Sequence, residues 1–127
     1  MSNVPVPPSS GPRLLHYGPQ QLIEDEGSPQ IGWYVLLNGR VGVFKSDIQV
    51  AEFATRGAVF GEISSILRRP RSARLTALEP TTVMYYDTDI DQLIAHHPKV
   101  AKTMLVSLAE RLVETTEALW SARGEGV

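Results

Sequence analysis

The sequence predicts a mainly β domain, an antiparallel sandwich or roll of about eight short strands followed by C-terminal helices. Two patterns carry that expectation. Across residues 13–87, short stretches of alternating apolar and polar residues recur, each broken by turn-forming residues. Beyond Asp87 the apolar spacing lengthens to that of a helix, and after Pro98 neither glycine nor proline interrupts the chain until Gly124.

The elements follow in order. Residues 1–12 contain Pro5, Pro7, Pro8 and Pro12 with Ser9, Ser10 and Gly11, the composition of a disordered or extended lead-in. Gly18-Pro19, Gly27-Ser28-Pro29, Asn38-Gly39, Ser46-Asp47, Arg56-Gly57 and Glu79-Pro80 then punctuate the strands. Trp33, Val35 and Leu37 share one face of a strand, and Val41 and Val43 share a face of the next. Ala51 with Phe53, Leu75 with Ala77, and Val83 with Tyr85 repeat the alternation. Thr88 or Asp89 is placed to cap a short helix that contains Ile90, Leu93 and Ile94. His96-His97-Pro98 breaks it, and Pro98 suits the first turn of a new helix. Within that helix Ala101, Leu105, Leu108, Leu112, Thr115 and Leu119 fall at spacings of four and three, a heptad seam. Val100 and Met104 form a second stripe. A helix apolar on two sides is expected to pack on its own domain and on a partner. Domain boundaries follow: a lead-in at 1–12 and one domain at 13–123, with strands over 13–87, a short helix over 88–97, a long helix over 98–123 and a tail at 124–127.

Residues 60–75 read F-G-E-I-S-S-I-L-R-R-P-R-S-A-R-L. A Gly-Glu pair opens a short helical turn, and an arginine, a small hydroxyl residue and an alanine follow before strand-like alternation resumes. Phosphate recognition needs these parts. A helix start supplies backbone N–H groups, a guanidinium meets the charge, and glycine lets a ligand approach the backbone. A carboxylate beside such a site makes sense as an acceptor for sugar hydroxyls.

Composition narrows the function. The chain has 127 residues, enough for one core, with 43% hydrophobic residues and a formal net charge of −2. That balance argues against a chain whose main task is coating nucleic acid. Without cysteine there is no disulfide framework and no thiolate metal site. No apolar run approaches the ~20 residues needed to span a bilayer, and residues 1–12 are polar and proline-rich, unlike a signal peptide. A cytoplasmic protein that touches neither membrane nor nucleic acid is expected.

The run Gly61-Glu62-Ile63-Ser64 through Arg71-Ser72-Ala73 resembles the phosphate-binding cassette of cyclic nucleotide-binding domains, and the resemblance extends over residues 18–120. Trp33-Tyr34-Val35-Leu36-Leu37-Asn38-Gly39-Arg40-Val41 is similar to the strand–turn–strand ahead of that cassette. The fold implied is an eight-stranded antiparallel β-roll, jelly-roll-like, with an inserted short cassette helix and a long C-terminal helix, as in catabolite-activator-type and protein kinase A regulatory-subunit-type domains. By the resemblance, Arg71 pairs with the cyclic phosphate and Glu62 accepts the ribose 2′-hydroxyl. Gly61, Ile63 and Ser64 present backbone N–H groups, Ser72 bonds phosphate, and Ala73 leaves room where the strand resumes. Arg111-Leu112-Val113-Glu114-Thr115-Thr116-Glu117 resembles the last helix of catabolite-activator-type regulators, which places Thr115 and Thr116 against the adenine, one from each subunit of a dimer. A polar Thr115 on an apolar seam is otherwise a cost. Ser72 leaves cAMP and cGMP both open, and the threonine pair favours cAMP. The implied ligand is therefore cAMP, with cGMP the alternative and no metal. The implied assembly is a homodimer through Leu105, Leu108, Leu112, Thr115 and Leu119. The residues up to Val127 contain no helix-turn-helix after this helix, so DNA binding does not carry over to them.

Plainer roles compete for the same residues. Arg71 suits a solvated loop, Glu62 a helix start favoured by the dipole, and Thr115 and Thr116 an ordinary helix surface. Arg68, Arg69 and Arg74 read as solvated. His96-His97 reads as an exposed pair at a helix end, and His16 as part of the first strand. Asp25 and Glu26 read as solvated residues before a turn, and Trp33 and Trp120 as packing residues, with Trp120 a candidate cover for a base. The paired strand histidines of metal-dependent rolls are absent, as is a nucleophile–histidine–acid pattern. The expected function is a non-catalytic, ligand-gated regulatory module whose C-terminal helix moves. The alternative is a ligand-free dimerisation or docking module with a degenerate cassette.

Overall fold

The computed structural model describes residues 12–28 and 32–125. The proline-rich lead-in expected at 1–12 lies, except for Pro12, outside the described residues. The eight strands are β1 (Arg13–Tyr17), β2 (Leu22–Glu24), β3 (Trp33–Asn38), β4 (Val41–Lys45), β5 (Ile48–Phe53), β6 (Val59–Phe60), β7 (Arg74–Ala77) and β8 (Thr81–Tyr86). Helix α1 (Glu62–Leu67) is inserted between β6 and β7, and α2 (Ile90–His96) and α3 (Pro98–Glu125) follow. The chain divides into two units, one through Asp91 and one from Gln92 onward.

In the first unit the strands form two four-stranded antiparallel sheets, ordered β1-β8-β3-β6 and β2-β7-β4-β5. Consecutive strands mostly alternate between sheets, which makes the unit a roll. Among the described residues only β4 and β5 are joined as a tight hairpin, with Lys45 opposite Ile48. Their two-residue turn, Ser46-Asp47, has φ +48 and +68, positive at both positions as a strand-matching turn requires. At the β3–β4 turn Gly39 has φ +102, and a Cβ there would lie 2.5 Å from Thr81 Oγ1.

Between the sheets Tyr34, Leu36, Val41, Phe60, Leu75 and Val83 form the core, with Leu15, Tyr17, Ile23, Val43, Phe53, Ala58 and Tyr85 packed against it. Each fully buried side chain of this size contributes roughly 1.5–3 kcal/mol. The aromatic members stack: Tyr34 on Phe60 with centroids 5.0 Å apart, and Phe53 on Phe60 at 5.4 Å. The face of β3 that enters the core is thus Tyr34 and Leu36, the alternate of the Trp33, Val35 and Leu37 face singled out by alternation. Trp33 is buried on the other side of the strand, stacked on Tyr86 at 4.2 Å.

In the second unit, α3 begins at Pro98 and continues through Gly124 to Glu125, two residues past its expected end. A helical glycine costs about 1 kcal/mol relative to alanine, little enough at a helix terminus for the last turn to persist. Ala101 and Met104 are buried. Leu105, Leu112 and Leu119, on the predicted seam, are 67%, 68% and 60% exposed. Trp120 is 77% exposed, so it is not a packing residue within this chain.

Candidate functional site

The site grows out of the core. Phe60, the last residue of β6, is fully buried and fixes where the chain leaves the sheet. Gly61 follows with φ +81 and ψ −2 as the N-cap of α1, without a side-chain cap. A Cβ at Gly61 would stand 2.6 Å from Arg71 Nη1. The backbone conformation and the approach of the guanidinium therefore both call for glycine. The next residue, Glu62, opens α1 and is 1% exposed. Ser64 is also buried, whereas Ile63 is half exposed. The helix stops at Arg68, which takes the left-handed conformation at φ +55, with its N–H donated to Ser64 O.

Arg71 lies at the end of the loop that follows and is 4% exposed. Its Nη1 donates to Gly61 O, and its Nη2 donates to Gly32 O at 3.3 Å. Nη2 also lies 3.9 Å from Glu24 Oε2. The guanidinium carbon sits 5.8 Å from the centre of the Tyr34 ring. Its backbone is held as firmly: Gly27 N donates to Arg71 O at 2.8 Å, and Arg71 N donates to Ser28 O at 2.9 Å. Burial lowers the pKa of Arg71, and the charges of Glu24 and Glu62 act in the opposite direction. The Nε–H of this buried guanidinium has no hydrogen-bond partner among the described residues, so one donor of the fork is open to a further acceptor.

Glu24 is also bound by Tyr34, whose O–H donates to its Oε2 at 2.5 Å. Ser28 Oγ stands 3.4 Å from Oε1 but gives its one proton to Asp25 O at 2.8 Å. Burial, reinforced by Glu24, pushes the Tyr34 pKa far above its ordinary value, so the phenol stays a donor. Tyr17 and Tyr85 are raised as well, chiefly by burial.

The exit of the loop is tied to the β4–β5 hairpin. Lys45 Nζ donates to Ser72 O at 2.6 Å, and Arg74 pairs with Asp47 at 2.9 Å. The Ser72 side chain is exposed and Ala73 is half-buried.

Of the residues singled out by sequence, Gly61, Glu62, Ile63, Ser64, Arg71, Ser72 and Ala73 all lie in the first unit, within one β6–α1–β7 segment. Thr115 and Thr116 lie in the second unit, exposed on α3. Sequence reasoning missed Glu24, Tyr34 and Gly32 as partners of Arg71. His16 bonds Thr82 Oγ1 at 3.0 Å, and His96 and His97 are exposed. No group of three or more metal-ligating side chains occurs among the described residues. Among them, no helix is long and apolar enough to cross a membrane.

A family model described as the cyclic nucleotide-binding domain matches residues 14–97. The catabolite activator protein of Thermus thermophilus is 26% identical with a TM-score of 0.72, over 88% of this chain and 55% of that one. A cyclic nucleotide-binding domain from Methylobacillus flagellatus is 28% identical with a TM-score of 0.69, over 87% and 65%. A PKAR CBD2 structure with Sp-2Cl-cAMPS bound shares the fold, at 19% identity and a TM-score of 0.64, over 89% and 72%. The chain thus spans about half of the first relative and just under two thirds of the second. No curated protein matches the chain.

Proposed function

Since the chain belongs to the cyclic nucleotide-binding domain family, we propose that it senses a cyclic nucleotide, cAMP foremost, and passes that signal on through its C-terminal helix. The observation that carries this reading is the buried Arg71 guanidinium. It is anchored on the carbonyl of Gly61 at the N-terminus of α1, with Glu62 buried in the first turn and one donor left over. A cyclic phosphodiester carries one negative charge and several acceptor oxygens, which suits a guanidinium beside helical N–H groups.

In this reading the phosphate meets Arg71, Ser72 and the amides of Gly61, Ile63 and Ser64, while Ala73 leaves it room. Glu62 accepts the ribose 2′-hydroxyl, and the hydroxyls of Thr115 and Thr116 are assigned to the base. Binding shifts a population between two positions of α3, by as much as the ligand's differential affinity for the two states. The exposed seam of Leu105, Leu112 and Leu119, with Leu108 and Thr115 between them, is assigned to a second copy of the chain. The relative named a catabolite activator protein supports a role in regulation rather than catalysis, and the Sp-2Cl-cAMPS held by the PKAR domain supports cAMP as ligand.

Isothermal titration with cAMP and with cGMP tests the reading on wild type and on Arg71→Ala. Leaving a buried phosphate without its partner costs about 2–5 kcal/mol, or roughly 30- to several-thousand-fold in affinity. Equal affinity for both proteins would remove Arg71 from the site.

A further inference from the structure

We propose that Glu24 is an internal competitor of the ligand: its carboxylate occupies the charge of Arg71, and a cyclic phosphate binds by taking that charge over. The inference rests on the reading that Arg71 receives a phosphate, and it adds a residue that lies outside the cassette in sequence.

Three observations carry it. Glu24 Oε2 lies 3.9 Å from Arg71 Nη2, and the two side chains are only 14% and 3% exposed. Little water stands between them to screen the pair. The carboxylate is also fixed in place. Tyr34 donates to it at 2.5 Å, so it cannot swing into solvent when an anion arrives without breaking a bond that the fold itself supplies.

The third observation is the charge inventory. Around one guanidinium stand two carboxylates, those of Glu24 and Glu62, and both act electrostatically on Arg71. The positive charge that would attract an anion is matched before any anion is present. A phosphate that reaches Arg71 meets a guanidinium already attracted elsewhere and a like charge a few ångströms beyond it.

The same turn that holds Glu24 also holds the Arg71 backbone through Gly27 and Ser28. Weakening the Glu24–Arg71 contact therefore frees the charge of the guanidinium for the ligand while Gly61 O and Gly32 O still hold its position and the loop stays in place. The effect is specific to charge, because glutamine at position 24 keeps an oxygen acceptor for the Tyr34 hydroxyl.

Titration of cAMP and cGMP into wild type, Glu24→Gln and Glu24→Asp tests the proposal, with thermal melting as the check on folding. Glu24→Gln is expected to bind about tenfold tighter, a change of about 1.4 kcal/mol. Glu24→Asp draws the charge back by one methylene and is expected to bind a few-fold tighter. Should the glutamine variant not fold, the aspartate variant carries the test alone. Affinity equal to or weaker than wild type in the folded variants would overturn the proposal, and would make Glu24 a residue that positions Arg71 for the ligand. Absence of binding by wild type and variants alike would reject the reading of the site itself, a result distinct from the previous one. A silent wild type with a binding Glu24→Gln would uphold both.

Discussion

Replacing Arg71 with methionine tests the construction of the site without any ligand. The side chain keeps comparable bulk but loses its fork of donors and its charge. Gly61 O loses a charged donor, and hydrogen bonds of that kind contribute about 1.5–3 kcal/mol. The bond to Gly32 O, at 3.3 Å, is longer than ideal and adds only a fraction of that. Glu24 is left largely buried without its cation, though Tyr34 still donates to it at 2.5 Å, so this contribution sits near the low end, about 1 kcal/mol. The sum is about 3–5 kcal/mol, the range for removing one partner of a buried pair. Urea denaturation followed by tryptophan fluorescence reads it, because Trp33 is 1% exposed and reports on the roll. Placing Trp120→Phe in the background removes the exposed second indole. With a slope of about 1–3 kcal/mol per molar urea, the midpoint should fall by at least ~1 M. A loss below about 1 kcal/mol would mean that the guanidinium is solvated and supports nothing. In the double variant with Glu24→Gln, about 1 kcal/mol of the loss should return; strictly additive losses would deny the Glu24–Arg71 interaction.

Three further outcomes are expected. Arg68→Gly should stabilise the protein by about 0.5–1 kcal/mol, because Arg68 closes α1 at φ +55, where a Cβ is unfavourable; its ion contact with Asp91, 3.6 Å between two exposed side chains, contributes little. A lower urea midpoint in that variant would contradict the argument. Leu112→Glu should yield monomers by light scattering with the melting temperature of a monomer control unchanged, since Leu112 is 68% exposed within the chain; an unaltered dimer mass would refute assembly through the seam. The third concerns alkaline pH. Tyr34 has a folded pKa raised above its ordinary 10.0, so the native state holds its proton longer than the unfolded state does. The corresponding stability is full below pH 10 and is lost as pH rises above it. Urea midpoints should decline above about pH 10 in wild type and decline less steeply in Tyr34→Phe; identical profiles would show that the phenol is not stabilised in its neutral form.

The sequence exposed the parts of the fold whose chemistry is local. Ser46-Asp47 reads as a turn because both side chains can hydrogen-bond the turn's own backbone and Asp47 tolerates the positive φ it adopts. Gly61, Glu62 and Arg71 read as a candidate site because a helix start, a glycine and a guanidinium are parts that anion recognition needs. What escaped was set by tertiary structure. Strict alternation from Ile23, which packs on the core, would turn Glu24 away from it. The register shift between Leu22 and Glu24 disturbs that alternation, and the carboxylate ends up against Arg71. Both faces of β3 are buried at Trp33 and Tyr34, so its pattern could not show which one meets the core. Trp120 read as a packing residue from its type alone, and its exposure follows from its place on a helix whose seam is uncovered within the chain.

The site cannot be reduced to its motif. Residues 60–75 contain all the cassette residue types, yet α1 is six residues long, far shorter than the ~12–15 at which an isolated helix becomes even marginally stable. Its orientation comes from Phe60, clamped between Tyr34 and Phe53. The position of Arg71 comes from Gly27 and Ser28 on its backbone and from Glu24 and Gly32 on its guanidinium. Residues 24–28 and 32–34, neighbours in sequence, and the distant stretch 60–71 must therefore be brought together by both sheets before the guanidinium points anywhere in particular. This dependence would also give the proposed sensor a route for signalling. If an anion draws Arg71 away from Glu24, as proposed, it acts on a segment bonded to the β2–β3 turn and to Gly61 O at the start of α1, so the change of partner would be felt at both ends of the cassette.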